Sequence, residues 1–151
     1  MSAFLHHDRD GKLAFDIWDN DNLIALLELS SLSRQNDVVI EKIQSFGMPV
    51  GAEVFDTCVW IGRFIQVTPD PPAVRLVGRQ EVKLHHCHSA RAKDSNIRQA
   101  MIDRFGPGKD KAIGRKASPG PLHGVRKDIW SALAIACYHL DTRESPVAAT
   151  G

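Results

Sequence analysis

No stretch of the sequence approaches the roughly 20 consecutive apolar residues that a membrane helix requires, and the N-terminus lacks the basic, apolar and small-residue regions of a secretory signal. A cytoplasmic protein with no membrane partner is expected. Cysteine is scarce: Cys58, Cys87 and Cys137 lie far apart and form no CxxC pair. That excludes a disulfide framework and predicts reduced, mostly buried thiols. There is no internal repeat and no glycine-rich nucleotide loop. What is present is ordinary for one globular domain, 151 residues with 43% hydrophobic and 25% charged content, enough to bury a continuous core.

The formal net charge of +1 hides an asymmetry. Residues 1–75 hold 6 Lys/Arg against 11 Asp/Glu, and residues 76–151 hold 13 against 7. The halves therefore carry −5 and +6, which points to a polyanionic partner for the basic half or to a plain solvated face.

Local patterns set out an α/β order. Residues 2–7 and 12–18 read as strands joined by a turn ending in Asp10-Gly11, a β-hairpin. Asp19 or Asn20 caps a helix over 23–29, and 30–36 is a polar connection. The apolar run 37–43 predicts a strand buried on both faces, with Glu41 at its end. A helix over 52–66 shows one stripe of Val54, Cys58, Ile61 and Ile65, with Phe55, Val59 and Phe64 beside it. Prolines at 69, 71 and 72 stop it, and 73–77 is a second strand, so 37–77 forms a parallel βαβ unit. Residues 82–84 fit a short helix or an extended link. Asp94 caps a helix through Ile97, Met101 and Phe105, stopped at Gly106-Pro107-Gly108. Residues 109–127 read as a basic loop, 127–140 as a buried helix, and 142–151 as a flexible tail.

Three constellations carry chemistry. Glu41, where a buried strand ends, either meets solvent or lines a crevice of the kind found outside the carboxyl ends of parallel strands. Asp128, in the first turn of the last helix, either compensates the helix dipole or turns toward Glu41. Two converging carboxylates suit Mg²⁺, which takes oxygen ligands and keeps waters for phosphate substrates. Lys109, Lys111, Arg115, Lys116, Arg126 and Lys127 in the basic loop either are solvated or contact phosphate, positioning nucleic acid without reading sequence. His85-His86-Cys87-His88 lacks the second, distant ligand pair of a structural zinc site and reads as surface or DNA-facing histidines.

Several blocks together resemble the phage and prophage branch of the RuvC-like Holliday junction resolvases. They are Val39-Ile40-Glu41, Gly47-Met48-Pro49-Val50-Gly51, Glu53-Val54-Phe55 with 57–64, 89–94, Asn96-Ile97-Arg98-Gln99-Ala100, and Pro119-Gly120-Pro121-Leu122 with Gly124-Val125. The likeness runs from about Ser2 to Asp141, so 1–141 is expected to be one nuclease domain.

The resemblance implies a ribonuclease-H-like fold, a mixed five-stranded sheet flanked by helices. It also implies a homodimer that cuts four-way or other branched DNA with Mg²⁺ or Mn²⁺. By motif, Glu41 takes the position of the family's strand-four Glu and Asp128 the first acid of its last helix. Ser131 stands where a second helix acid is often found. Ser2-Ala3-Phe4 resembles the start of the family's second strand, so the central first strand and its Asp are missing from this chain. The favoured expectation is a structure-specific DNA endonuclease whose true start lies upstream of Met1. Arg79, Lys83, Arg91, Lys93 and the basic loop would hold the DNA backbone. The alternative is a non-catalytic nucleic-acid-binding remnant. A phosphotransferase of the same broad fold class is disfavoured by the missing nucleotide loop.

Overall fold

The computed structural model describes residues 1–30 and 36–143. The polar connection expected at 30–36 and the tail expected at 142–151 lie, apart from their margins, outside those residues. The chain opens with β1 (Ser2–His7) and β2 (Leu13–Trp18), an antiparallel hairpin in register from Ser2↔Trp18 to His7↔Leu13. Asp8 closes the turn. Its Oδ1 accepts the N–H groups of Asp10 at 3.0 Å and Lys12 at 2.8 Å, and Gly11 takes the left-handed conformation at φ +82°, which an L side chain would resist. Helix α1 (Asn20–Ser30) follows. Of the two expected caps, Asp19 and Asn20, it is Asp19 whose Oδ1 accepts the Asn22 N–H at 3.0 Å.

The βαβ unit also forms. β3 (Val39–Lys42) and β4 (Arg75–Gly78) run parallel with Glu41 opposite Val77, and α2 (Ala52–Gln66) makes the crossover that a parallel pair needs. Thr68 ends that helix, its hydroxyl donating to the Ile65 carbonyl at 2.7 Å, before a 3₁₀ turn at Pro71–Ala73. Two expectations need correction. β3 is half-buried along its length, not covered on both faces, because it pairs on one side only. Helix α2 buries only Phe64 fully, and Phe55, Val59 and Cys58 are exposed. All three cysteines are free, but only Cys137 is buried.

Residues 79–87, left open by the sequence, form helix α3 (Arg79–Cys87) directly off β4. Helix α4 (Asp94–Phe105) starts one residue earlier than an Asp94 cap would allow: its N-cap is Lys93. The basic stretch is not a loop throughout. It contains the short α5 (Lys109–Ala112) and a small hairpin of β5 (Gly114–Arg115) and β6 (Ser118–Pro119). A Cβ on Gly120 would run into the Lys111 and Ala112 carbonyls, and Leu122 is wholly buried, so this segment is packed against the body of the protein.

The last helix, α6 (Ile129–Thr142), is the centre of the fold. It lies against α3, α4, β1, β2 and β3. Ile129, Leu133, Ala134 and Cys137 are almost completely inaccessible and join Val77, Val82, Ile97 and Met101. The expected five-stranded sheet is not continuous among the described residues. Three separate two-stranded ladders are present, since no backbone bonds join the β1–β2 pair to the β3–β4 pair. The helix, not a shared sheet, holds the two together. No helix among the described residues is long and apolar enough to cross a membrane.

Candidate active site

One cavity of about 300 Å³ brings together β3, α3, α4 and the start of α6, and Glu41, Arg79, Lys83, Asp94, Asp128 and Ser131 line it. Strand alternation places Glu41 on the same face as Val39, and Val39 packs on the core formed around α6. Gly78 then lets the chain turn from β4 into α3. It is buried, and a Cβ there would meet the Gln44 amide. Arg79 and Lys83 sit one turn apart, on one face of α3.

Asp128 arrives by a strained route. Lys127 has φ +48°, a left-handed conformation that costs a non-glycine residue about 1–2 kcal/mol. The turn swings the chain so that Asp128 becomes the N-cap residue of α6, not a member of its first turn as expected. Its carboxylate makes no capping hydrogen bond. It is exposed, and it faces the cavity.

The electrostatics of the cavity are those of crowded acids with cations beside them. Burial raises the proton affinity of Glu41 above the ordinary carboxylate range; Asp128 and Asp94 push it the same way, while Arg79 and Lys83 oppose them. Arg79 donates from Nη2 to Asp94 Oδ1 at 2.6 Å, and Lys83 Nζ lies 3.6 Å from the same oxygen. That pairing lowers the Asp94 pKa. A cation among these acids would relieve the cost that now falls on Glu41. The donors are carboxylate and hydroxyl oxygens, which fit Mg²⁺ or Mn²⁺.

The structure therefore brings Glu41 and Asp128 to one place, with Arg79, Lys83 and Lys127. The other residues expected to hold DNA do not line the cavity. Lys93 caps α4 at its edge, and Arg91 is exposed nearby. Lys109 and Lys111 ride on α5, while Arg115 and Lys116 lie on the small hairpin. Arg126 is engaged with Asp16 Oδ1 at 3.2 Å. The sequence reading missed Asp94 as a site residue, taking it for a cap, and Arg98, which lies 5.1 Å over the Trp130 ring. Both stand inside the family-like blocks, where spacing alone gave no hint that α3 and α4 would face each other.

Among the described residues, one set of three His, Cys, Asp or Glu has donor atoms within 4.8 Å of one another: His85, His86 and Asp141. Glu41, Asp94 and Asp128 share the cavity without closing to that spacing. The histidine set is fully engaged within the protein. Arg104 donates to both Asp141 oxygens at 2.7 Å, His85 Nε2 is 2.7 Å from Oδ2, and His86 Nε2 is 2.8 Å from the Ala134 carbonyl. A guanidinium on both carboxylate oxygens is a poor neighbour for a metal ion. The expectation of surface or DNA-facing histidines is accordingly revised for His85 and His86, which are half-buried struts between α3 and α6.

No family model matches the sequence, and no curated protein matches it. Among solved structures the chain is similar to RuvC of Thermus thermophilus, with 14% sequence identity over 91% of this chain and 83% of that one, at a TM-score of 0.48.

Proposed function

We propose that this chain is a RuvC-like, structure-specific DNA endonuclease that acts in the cytoplasm on Holliday junctions or other branched DNA. One observation carries the reading. Glu41 and Asp128, from opposite halves of the sequence, converge on a single cavity in which Arg79 and Lys83 supply positive charge. Glu41 and Asp128 would hold a divalent ion through carboxylate oxygens, and Ser131 would offer a hydroxyl beside them. Bound there, Mg²⁺ or Mn²⁺ supplies Lewis acidity and an activated water for phosphodiester hydrolysis. Arg79, Lys83 and Lys127 neutralise and orient the DNA backbone. Arg91, Lys93, Lys109, Lys111, Arg115, Lys116 and Arg126 extend the track along which the arms lie.

Two further parts belong to this reading. β1 and β3 are each bonded on one side only among the described residues, and both pack on α6. This supports an additional strand between them bearing a third carboxylate. The exposed apolar face of α2 supports pairing with a second copy, so that two sites cut symmetrically.

A nicking assay on a synthetic four-way junction with Mg²⁺ tests the proposal. Wild-type cutting that disappears in Glu41→Gln and in Asp128→Asn is the expected result, and cutting that survives Glu41→Gln would sink the site assignment. The second reading, a DNA-binding remnant without catalysis, is favoured by the open spacing of Glu41, Asp94 and Asp128. It wins if the wild type binds the junction without nicking it.

A further inference from the structure

The Arg79–Asp94 contact has an unusual economy. An acid at the N-cap of a helix ordinarily serves that helix's own exposed N–H groups. Asp94 is not that cap: the N-cap is Lys93, whose N–H is taken by Asn96 Oδ1 at 2.9 Å. The carboxylate instead crosses to α3, where one oxygen, Oδ1, receives Arg79 at 2.6 Å and faces Lys83 at 3.6 Å. Packing of α3 on α4 does not depend on this, because Val82, Ile97 and Met101 already join the helices through the core. The acid is the loosely held member, with its side chain 72% exposed against 18% for Lys83.

We propose that Asp94 is a built-in stand-in for DNA phosphate: it occupies the Arg79–Lys83 cation pair at the mouth of the cavity, and a phosphodiester must displace it to bind. Guanidinium and ammonium groups recognise carboxylate and phosphate oxygens by the same charge-assisted hydrogen bonds. A phosphate on Arg79 and Lys83 would thus inherit contacts that are already aligned. Asp94, exposed and on a different helix, can turn to solvent without disturbing the core. Asp94 keeps the two cations ordered and screened from one another, and it rejects anions too weak to compete. This inference rests on reading the cavity as a DNA site.

The test is binding of a fluorescent four-way junction to the full chain at low salt in EDTA, where affinity is read apart from cutting. Asp94→Asn is expected to tighten the dissociation constant by roughly 1.5–5-fold, the range set by an exposed ion pair, with the gain shrinking as salt is added. Asp94→Glu, which keeps the charge, should bind like the wild type. In an Arg79→Gln, Lys83→Gln background, adding Asp94→Asn should change nothing. Equal or weaker binding by Asp94→Asn overturns the proposal. So does the same gain in the double-Gln background, which would mark a general charge effect, and so does failure of every variant to bind. Nicking with Mg²⁺ is scored on the same preparations. No cutting alongside a tighter Asp94→Asn overturns the nuclease reading and leaves the role of Asp94 standing; cutting with unchanged binding does the reverse.

Discussion

Arg104 grips Asp141 through two parallel hydrogen bonds of 2.7 Å, Nη1 to Oδ2 and Nη2 to Oδ1. The pair ties α4 to the end of the central helix, with His85 of α3 on the same carboxylate. The Arg104 hydrogen bonds, helped by His85, hold the Asp141 pKa well below the usual carboxylate range. A depressed acid adds stability that is complete above its unfolded pKa of about 3.9 and is lost as pH falls toward its folded value. Asp141→Asn should therefore cost about 1–3 kcal/mol at pH 7, as for a hydrogen bond to a charged group. The deficit should shrink below about pH 4, as the wild type loses the same advantage. Urea denaturation of both proteins from neutral to acid pH checks this; parallel curves would show that the bridge adds nothing.

Glu41 has the opposite sign. Burial first, then Asp128 and Asp94, raise its proton affinity. An acid with a raised folded pKa binds more protons folded than unfolded, so its ionisation lowers stability as pH rises through that window. Glu41→Gln should thus be more stable than the wild type at neutral pH by about 0.5–2 kcal/mol, the gain common when a site built for function is neutralised. The two should become equal in acid. A denaturation series across pH measures it, and a neutral-pH loss of stability would mean that Glu41 is a structural acid.

The parts of the fold that follow local rules are legible in the sequence. Asp10-Gly11 announced the hairpin turn, Asp19 the cap of α1, and the prolines after Thr68 the end of α2, because each acts within a few residues of itself. The meeting of Glu41 with Asp128 was reachable from the rule that ligands bind at strand ends, joined to the family-like blocks. What escaped depends on which surfaces finally touch. The periodicity of α2 promised burial, yet Phe55 and Val59 found no partner within the chain. The role of Asp94 depends on α3 standing across from it, and the half-burial of β3 reflects its pairing on one side only among the described residues, which no residue of β3 encodes.

Lys127 carries a prediction about delivery of Asp128. Its left-handed backbone at φ +48° is one that glycine adopts freely and other residues only at a cost. Lys127→Gly and Lys127→Ala both remove the cation, so their difference isolates the backbone. The glycine variant should be about 1 kcal/mol more stable than the alanine one. Thermal melts of the pair decide it, and equal stability would mean that this turn relaxes without strain.

The exposed face of α2 yields the last prediction. Phe55 and Val59 are each 62% accessible, one turn apart, with Phe46 and Met48 exposed on the preceding loop. Gly62, the next residue along that face, has nothing within 4 Å of where its Cβ would be. A mid-helix glycine costs about 1 kcal/mol relative to alanine, a cost that close approach of another backbone would offset. Glu53 and Asp56 lie toward the start of the helix and Arg63 toward its end. An antiparallel two-fold crossing at Val59 would bury the apolar stripes of both copies. Val59→Lys should convert a dimer to a monomer in sedimentation velocity, since two ammonium groups would meet at the axis. The monomer itself should keep its stability within about 0.5 kcal/mol, because the substituted position is already open to solvent. A Val59→Lys protein that still sediments as a dimer would place the two-fold elsewhere, and a wild type that is monomeric at high concentration would remove it altogether.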